Sequence, residues 1–209
     1  ELGRQMTQYP VEPSLARMLI KSMELGCSEE ILTISAMLSS QYMFCRPKRK
    51  HADADRKHKA LAVAGSDHLT LLKVYNTWVA TGGSKDWCYE NFIQYRHMRH
   101  AESVRRQLLG VLLRRNLSCT SCGRDTDKVL QALCYGFCQN IAVHSSGPVY
   151  RTVVDIQAAY IHPNSALFRQ GPDWVVYNTL LHTSKPYIRC VSRIQSSWVP
   201  KNIMELKMR

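Results

Sequence analysis

The stretch from Asn116 to Cys138, NLSCTSCGRDTDKVLQALCYGFC, decides how this chain divides. It holds four of the chain's eight cysteines in the spacing C-x2-C-x11-C-x3-C, which superficially suits a zinc site. Its second half is a helical pattern, however, in which Val129, Leu133 and Cys138 share the apolar side. Gly136 in the same helix indicates close packing. The pattern favours buried or incidental thiols over zinc ligands, although the spacing keeps zinc open as an alternative.

The charge of the chain indicates an anionic partner. The 209 residues carry 28 Lys and Arg against 16 Asp and Glu, a formal net charge of +12. This surplus exceeds what solubility needs and most often accompanies nucleic-acid binding. The length allows one large domain or two small ones, and no segment approaches the roughly 18 consecutive apolar residues of a membrane span. We therefore predict no membrane partner.

The cysteines indicate the cellular compartment, and the first residues indicate that the chain is part of a longer protein. A protein of this size needs no disulfide stapling, so scattered cysteines favour a reducing compartment, the nucleus or the cytosol. The opening residues, ELGRQMTQYP, contain neither an initiating Met at the first position nor an apolar signal core. We therefore expect a fragment of a longer protein.

Upstream of the cysteine stretch the sequence predicts helices. One follows Pro13 and stops at Gly26, and the next begins with Ser28 as its N-cap. A short helix begins at Ser84. Between the helix that begins at Ser28 and the one that begins at Ser84, the sequence predicts an amphipathic helix that ends at Gly82-Gly83. Its predicted apolar positions are Leu69, Leu72, Tyr75 and Val79.

Two basic features interrupt the helical pattern. The segment RPKRKHADADRKHKAL has only two acids, Asp53 and Asp55, and is compatible with either a solvated surface or phosphate contacts. A long helix, roughly Tyr95 to Arg115, has an apolar face and an opposite arginine stripe. The basic residues of the segment are Arg46, Lys48, Arg49, Lys50, Arg56, Lys57 and Lys59, and those of the stripe are Arg96, Arg99, Arg106 and Arg114.

From about Tyr150 the sequence predicts short strands separated by Pro, Gly, Asn and Ser, namely YRTVVD, AAYIHP, DWVVYNTLLHT and YIRCVSRI. About sixty residues of closely spaced strands suit a small barrel better than a sandwich. In the last strand, simple alternation places Cys190 with the apolar side chains and Val191 on the outer face with Tyr187 and Arg189. An aromatic residue beside cations on a barrel surface is typical of single-stranded nucleic-acid binding.

Taken together, segments along almost the whole chain resemble the C-terminal region of DEAH-box RNA helicases of the spliceosomal and ribosome-biogenesis type. These segments include LGRQMTQYPVEPSLARML, GCSEEILTISAMLS, SDHLTLLKVYNTW, WCYENFIQYRHMRHAESVRRQL and YRTVVD…YIHPNSALF…DWVVYNTLLHTSKPYIRCVSRI…SW. The resemblance implies an α+β fold, a helical ratchet (helicase-associated) bundle followed by a small OB-fold barrel. It implies three parts: 1–12, the tail of a winged-helix domain; 13–125, the ratchet domain; and 126–209, a connecting helix and the OB fold. In this family the connection carries no metal, which also argues against zinc.

The sequence departs from the family pattern at several points. The family usually has Gly-Asp-His where this chain has Ser66-Asp67-His68, and its OB loop usually reads His-Pro-Ser-Ser, here His162 to Ser165. Thr179 stands where the family usually carries Glu, which puts in doubt an ion pair made by that Glu. The tail VPKNIMELKMR also differs from the usual ending.

The resemblance implies that this chain grips RNA and has no catalytic residues of its own. ATP and Mg²⁺ are expected in RecA-like domains that this chain does not contain. Those domains would step 3′ to 5′ on RNA. No cofactor or metal is expected in this chain. The implied partners are single-stranded RNA, the RecA-like and winged-helix domains, and G-patch or other regulators, in the nucleus. The expected RNA-binding residues are Arg96, Arg99, Arg106, His162, Asn164, Ser165, Lys185, Tyr187 and Arg189.

An alternative of a different class stays open at this point. The chain is then a stand-alone basic adaptor that binds RNA or protein, with or without zinc, and has no motor attached. A small-molecule enzyme is less consistent with the sequence, because no P-loop, G-x-S-x-G, H-E-x-x-H or G-x-G-x-x-G motif occurs.

Overall fold

The computed structural model describes residues 12–40 and 42–207, so the predicted winged-helix tail lies almost entirely outside the described residues. Helices are followed by a closed five-stranded barrel, which confirms the predicted α+β class. The helices are α1 Pro13–Leu25, α2 Ser28–Leu38, α3 His51–Leu61, α4 Asp67–Ala80, α5 Lys85–Glu90, α6 Tyr95–Leu113, α7 Thr126–Gly136 and α8 Lys201–Lys207, with a 3-10 helix at Ser196–Trp198. The strands are β1 Ile141–Ser146, β2 Val149–Thr152, β3 Ala158–Ile161, β4 Trp174–His182 and β5 Pro186–Arg193.

The first two helices form where their sequence signals predict, except at the start of α2. Gly26 ends α1 in the left-handed conformation, with φ of 70°, which glycine adopts without steric cost. Ser28, however, is not the N-cap of α2. Its hydroxyl instead accepts from the N–H of Thr120 at 2.8 Å, and the Thr120 carbonyl accepts from the N–H of Glu29 at 3.0 Å. The loop before α7 therefore caps α2, a long-range contact that local sequence does not reveal.

Helices α4, α5 and α6 pack around Trp78, which is fully buried. The prediction that Val79 belongs to the buried face of α4 is wrong, because its side chain is 49% exposed. Ser84 caps α5 by accepting from the N–H of Trp87, and α6 buries its predicted apolar face. On α6 the buried residues are Met98, Ala101, Leu108, Val111 and Leu112, with Val104 half-buried.

Helix α7 joins the helices to the barrel by packing closely against α1. A Cβ atom on Gly136 would lie 2.6 Å from Met18 Cβ and 2.9 Å from the carbonyl oxygen of Ser14, so the close packing predicted at this glycine is present. Cys134 and Cys138 are buried in the same core cluster, and all eight cysteines, each within the described ranges, are free thiols. The predicted boundary between residues 125 and 126 stays a prediction.

The barrel closes in the order β1-β2-β3-β5-β4, with β3 and β5 parallel and the other pairs antiparallel. Strand β1 was not predicted, because IAVHSS follows directly on the helical pattern and is half polar. A core cluster of its own fills the barrel, while Ile141, Val176 and Ile194 pack with the helices. The barrel is therefore fixed to the helices by an apolar layer.

Candidate nucleic-acid interface

A buried carboxylate at the start of α4 holds the helices to the barrel. Asp67 Oδ1 accepts from the N–H of Ala166 and Oδ2 from the N–H of Val191, both at 2.8 Å. The Ser165 side chain also hydrogen-bonds to this carboxylate. Burial raises the pKa of Asp67, and these hydrogen bonds oppose that rise. One residue of a helix thereby fixes both β5 and the loop after β3.

The contact to Asp67 changes the direction of the side chains along β5. Cys190 has a left-handed backbone, with φ of 51°, immediately before the N–H that Asp67 binds. The expected alternation is wrong from this point: Val191 lies in the barrel core, and Cys190 is not one of the core residues. A backbone conformation that L-residues rarely adopt is retained here because the surrounding contacts hold it.

A second group of hydrogen bonds reinforces this junction. Ser66 caps α4 by accepting from the N–H of Leu69, and its hydroxyl lies 2.6 Å from that of Ser192 on β5. His68 Nδ1 lies 2.7 Å from the same Ser192 hydroxyl. Complete burial lowers the pKa of His68 to about 3, so its imidazole is neutral at physiological pH. Ser66, which departs from the family's usual glycine, thus adds a cap and a contact to the barrel.

The predicted barrel residues come together on one surface beside this junction. The rings of Tyr187 and His162 lie 5.6 Å apart between centroids, and those of Tyr187 and Tyr160 lie 6.2 Å apart. Lys185 Nζ lies 4.9 Å from the centre of the Tyr160 ring. Asn164 is exposed and donates its backbone N–H to His162 Nδ1 at 3.2 Å. Three rings therefore lie next to one another on this surface, and Lys185 places a positive charge over one of them.

The helical part contributes a residue to this surface that the sequence analysis did not predict. Tyr42, between α2 and α3, is 45% exposed and lies under the Arg189 guanidinium, whose Cζ is 4.5 Å from the ring centre. Asn164 Nδ2 donates to the Tyr42 hydroxyl at 3.4 Å. No local signal marks Tyr42 as part of this surface, because Asn164 and Arg189, its partners here, lie more than a hundred residues away in the chain. The aromatic face is defined here as Tyr42, Tyr160, His162, Asn164, Lys185, Tyr187 and Arg189.

The residue opposite Arg189 on β4 carries no charge. Thr179 lies opposite Arg189 in the β4–β5 pair, in the position where the family pattern expects Glu. A threonine forms no ion pair with arginine there, and the guanidinium instead lies over Tyr42. The cation–π contact with Tyr42 places Arg189 on the aromatic face.

The remaining loop residues have distinct chemistry. Burial, with a smaller contribution from the charge of Arg189, lowers the pKa of His162, so its ring is neutral at physiological pH. Because His162 Nδ1 accepts a hydrogen bond, Nε2 carries the proton and can donate to a phosphate or a base. The Ser165 hydroxyl contacts Asp67 and the N–H of Leu167, so its observed bonds hold the loop in place.

The arginine stripe lies elsewhere, along α6. Arg96, Arg99 and Arg106 are exposed, and Arg99 pairs with Glu102 at 2.5 Å. The N-terminal end of α6 is tied to the segment around Tyr42, because Ser40 Oγ donates to the carbonyl of His97 at 3.3 Å. The structure thus brings five of the six predicted barrel residues together on the aromatic face. It places the Ser165 hydroxyl beside Asp67 and the three arginines on α6.

The site has binding groups on its surface and no arrangement for metal chemistry in the described ranges. Within residues 12–40 and 42–207, no three His, Cys, Asp or Glu side chains are placed to hold a metal ion. Over the same residues, no helix is long and apolar enough to cross a membrane. The groups that are present, aromatic rings with Lys, Arg and a neutral His, can stack on bases and contact phosphates.

Comparison with known proteins agrees with this arrangement. Residues 12–71 match the helicase associated domain (HA2), described as ratchet-like, and residues 129–203 match the oligonucleotide/oligosaccharide-binding (OB) fold. These two domains define the chain as a ratchet-like unit followed by an OB fold.

Two relatives extend the match to 95% of the chain. This chain is 45% identical over 199 residues to the pre-mRNA-splicing factor ATP-dependent RNA helicase prp22 of Schizosaccharomyces pombe. It is 38% identical over 199 residues to the probable ATP-dependent RNA helicase DHX35 of Pongo abelii. The chain belongs to the DEAH-box RNA helicase family and corresponds to its C-terminal region. The matches span 17% and 28% of the lengths of these relatives, respectively.

Proposed function

We propose that this chain grips single-stranded RNA for a DEAH-box helicase while RecA-like domains outside it bind ATP and Mg²⁺, hydrolyse the ATP and step 3′ to 5′. The aromatic face carries this proposal. Its rings have π-faces for successive bases, and Lys185 and Arg189 place positive charge beside them. Stacking tolerates any base, which suits a protein that must move along RNA.

The name of one relative supports a proposed cellular role. The prp22 relative is named as a pre-mRNA-splicing factor, so we propose a role in pre-mRNA splicing or a related remodelling of RNA–protein particles, in the nucleus. The RecA-like and winged-helix domains of the same protein, together with G-patch or other regulatory proteins, are the proposed protein partners. The net charge of +12 supports the RNA partner.

The Tyr187→Ala variant is expected to bind single-stranded RNA about 5- to 150-fold more weakly, because one base–aromatic stack contributes about 1–3 kcal/mol. Fluorescence anisotropy with a labelled oligonucleotide measures the affinity. Tyr187→Phe, which keeps the ring, should bind as the wild type does. Tyr89→Ala removes a 78% exposed tyrosine from α5 and serves as the matched control. Equal losses for Tyr187→Ala and Tyr89→Ala would contradict the stacking role.

The α6 arginines make a separate, electrostatic prediction. Changing Arg96, Arg99 and Arg106 together to Glu should weaken RNA binding and reduce the slope of log affinity against log salt by about 2, at about 0.7 per lost phosphate contact. The control is a scattered triple variant with the same change in net charge, namely Lys85→Glu, Arg124→Glu and Lys201→Glu. An unchanged salt slope in the α6 variant would refute the stripe as a phosphate contact.

A further inference from the structure

Helix α3 and the turn before it carry positive charge that the structure leaves without acidic partners. The segment has two acids, and both are engaged: Asp55 by Arg46 through two hydrogen bonds of 2.7 Å, and Asp53 by Arg56 at 2.8 Å. Five cations remain, and within the described residues none of them has an ion-pair partner. These are Lys48, Arg49, Lys50, Lys57 and Lys59, which together are named the α3 basic surface.

The side chains of this surface are available to a ligand. Lys48, Arg49, Lys50 and Lys59 are exposed, and Lys57 is half-buried. Helix α3 buries only Ala54 and Leu61 fully, so its packed side is narrow and most of its circumference meets solvent. Ordinary exposed helices mix charges of both signs, whereas here the acids are already paired. The net result is a local excess of positive charge suited to an anion.

A row of rings connects this surface to the aromatic face. The Phe44 ring lies 4.7 Å from that of His58 on α3 and 5.6 Å from that of Tyr42. His58 Nε2 lies 3.1 Å from the Phe92 carbonyl, which fixes its ring against Phe44. The Phe44 segment is itself fixed, because the Cys45 N–H donates to the same carbonyl at 2.7 Å. The α3 basic surface is therefore held in place relative to Tyr42.

We propose that the α3 basic surface is a second RNA-contacting surface, which binds the phosphates of the strand segment that leaves the aromatic face past Tyr42. This inference rests on the proposed RNA-binding function and extends it to a surface outside the barrel. Charge and continuity favour RNA over an acidic protein as the occupant, because the rings of Tyr42, Phe44 and His58 connect α3 directly to the proposed RNA-binding face. Lysines suit this task, since they contact phosphates as point charges without reading sequence.

The test compares the wild-type 209-residue chain with Lys48→Glu/Arg49→Glu/Lys50→Glu and the scattered triple variant, on single-stranded RNA of two lengths. An OB fold covers roughly 4–16 nucleotides, so oligonucleotides of about 6 and about 20 nucleotides report the barrel alone and the barrel plus α3. The expected result is a loss of affinity of about tenfold or more and a salt slope smaller by about 2 for the long RNA, with little change for the short one.

The outcomes separate this inference from the function on which it rests. If the wild-type chain binds neither RNA, the proposed function and this inference both fail. If both lengths bind but the α3 variant matches the scattered variant on the long RNA, only the α3 surface is refuted. If the α3 variant loses binding to poly-glutamate and keeps the long RNA, the surface takes an acidic protein partner and the inference is overturned. Far-ultraviolet circular dichroism of the three proteins checks that all are folded.

Discussion

The Asp67→Ala variant is expected to lower the free energy of unfolding by about 3 kcal/mol. The substitution leaves the N–H groups of Ala166 and Val191 without their acceptor at the junction of helices and barrel, and each buried unpaired donor costs about 1–3 kcal/mol. Loss of the carboxylate's own desolvation penalty offsets part of this cost. Urea unfolding at neutral pH measures the difference. Asp86→Ala, which removes an acid from the first turn of α5, is the control and should cost about 0.3–1 kcal/mol.

The difference in unfolding free energy between the wild type and Asp67→Ala is also expected to depend on pH. Because burial raises the pKa of Asp67 in the folded state, the folded chain binds this proton more tightly than the unfolded chain does. Its contribution to wild-type stability therefore falls as pH rises from about 4, the ordinary aspartate value, through the raised pKa. Asp67→Ala lacks this contribution, so the difference between the two proteins should narrow with rising pH over that window. A difference that widens instead would show that Asp67 is held as a stabilised carboxylate.

The second large effect is expected at the crossing of α7 and α1. Gly136→Ala would place a Cβ atom 2.6 Å from Met18 Cβ and 2.9 Å from a backbone oxygen, so the helices must separate. Overpacking of this kind costs about 1–3 kcal/mol, occasionally more, and outweighs the roughly 1 kcal/mol that alanine gains over glycine in a helix.

Gly110→Ala is the matched control for this crossing. Gly110 also lies in a helix, α6, but a Cβ atom there would meet only the end of the Arg114 side chain, at 3.5 Å. This variant should therefore be more stable than the wild type by up to about 1 kcal/mol. Thermal or urea unfolding of both variants gives the comparison, and shifts of the same sign would refute the packing argument.

Features set by neighbouring residues were predictable from the sequence. The end of α1 at Gly26, the start of a short helix at Ser84 and the buried face of α6 were predicted, because each depends on local backbone preference or on helical periodicity. The order of helices followed by a barrel was also predicted. The family resemblance supplied the names of both domains, and the comparisons confirm them.

Features set by contacts between distant segments were not predictable in this way. Ser28 was mistaken for a cap because the Thr120 carbonyl caps α2, from a loop ninety-two residues away in sequence. The alternation in β5 failed at Cys190 because Asp67, on a helix, holds the next N–H. Tyr42 was missed for the same reason. Each of these signals exists only after the chain has folded.

The origin of Tyr42 has a consequence for exchanging parts between related proteins. Its ring belongs to the helical part, whereas the guanidinium above it and the amide at its hydroxyl belong to the barrel. A chimaera that takes its barrel from a relative would break this three-residue contact unless residue 42 were transplanted with residues 164 and 189. A barrel is therefore expected to be exchangeable between relatives only when residue 42 is exchanged with it.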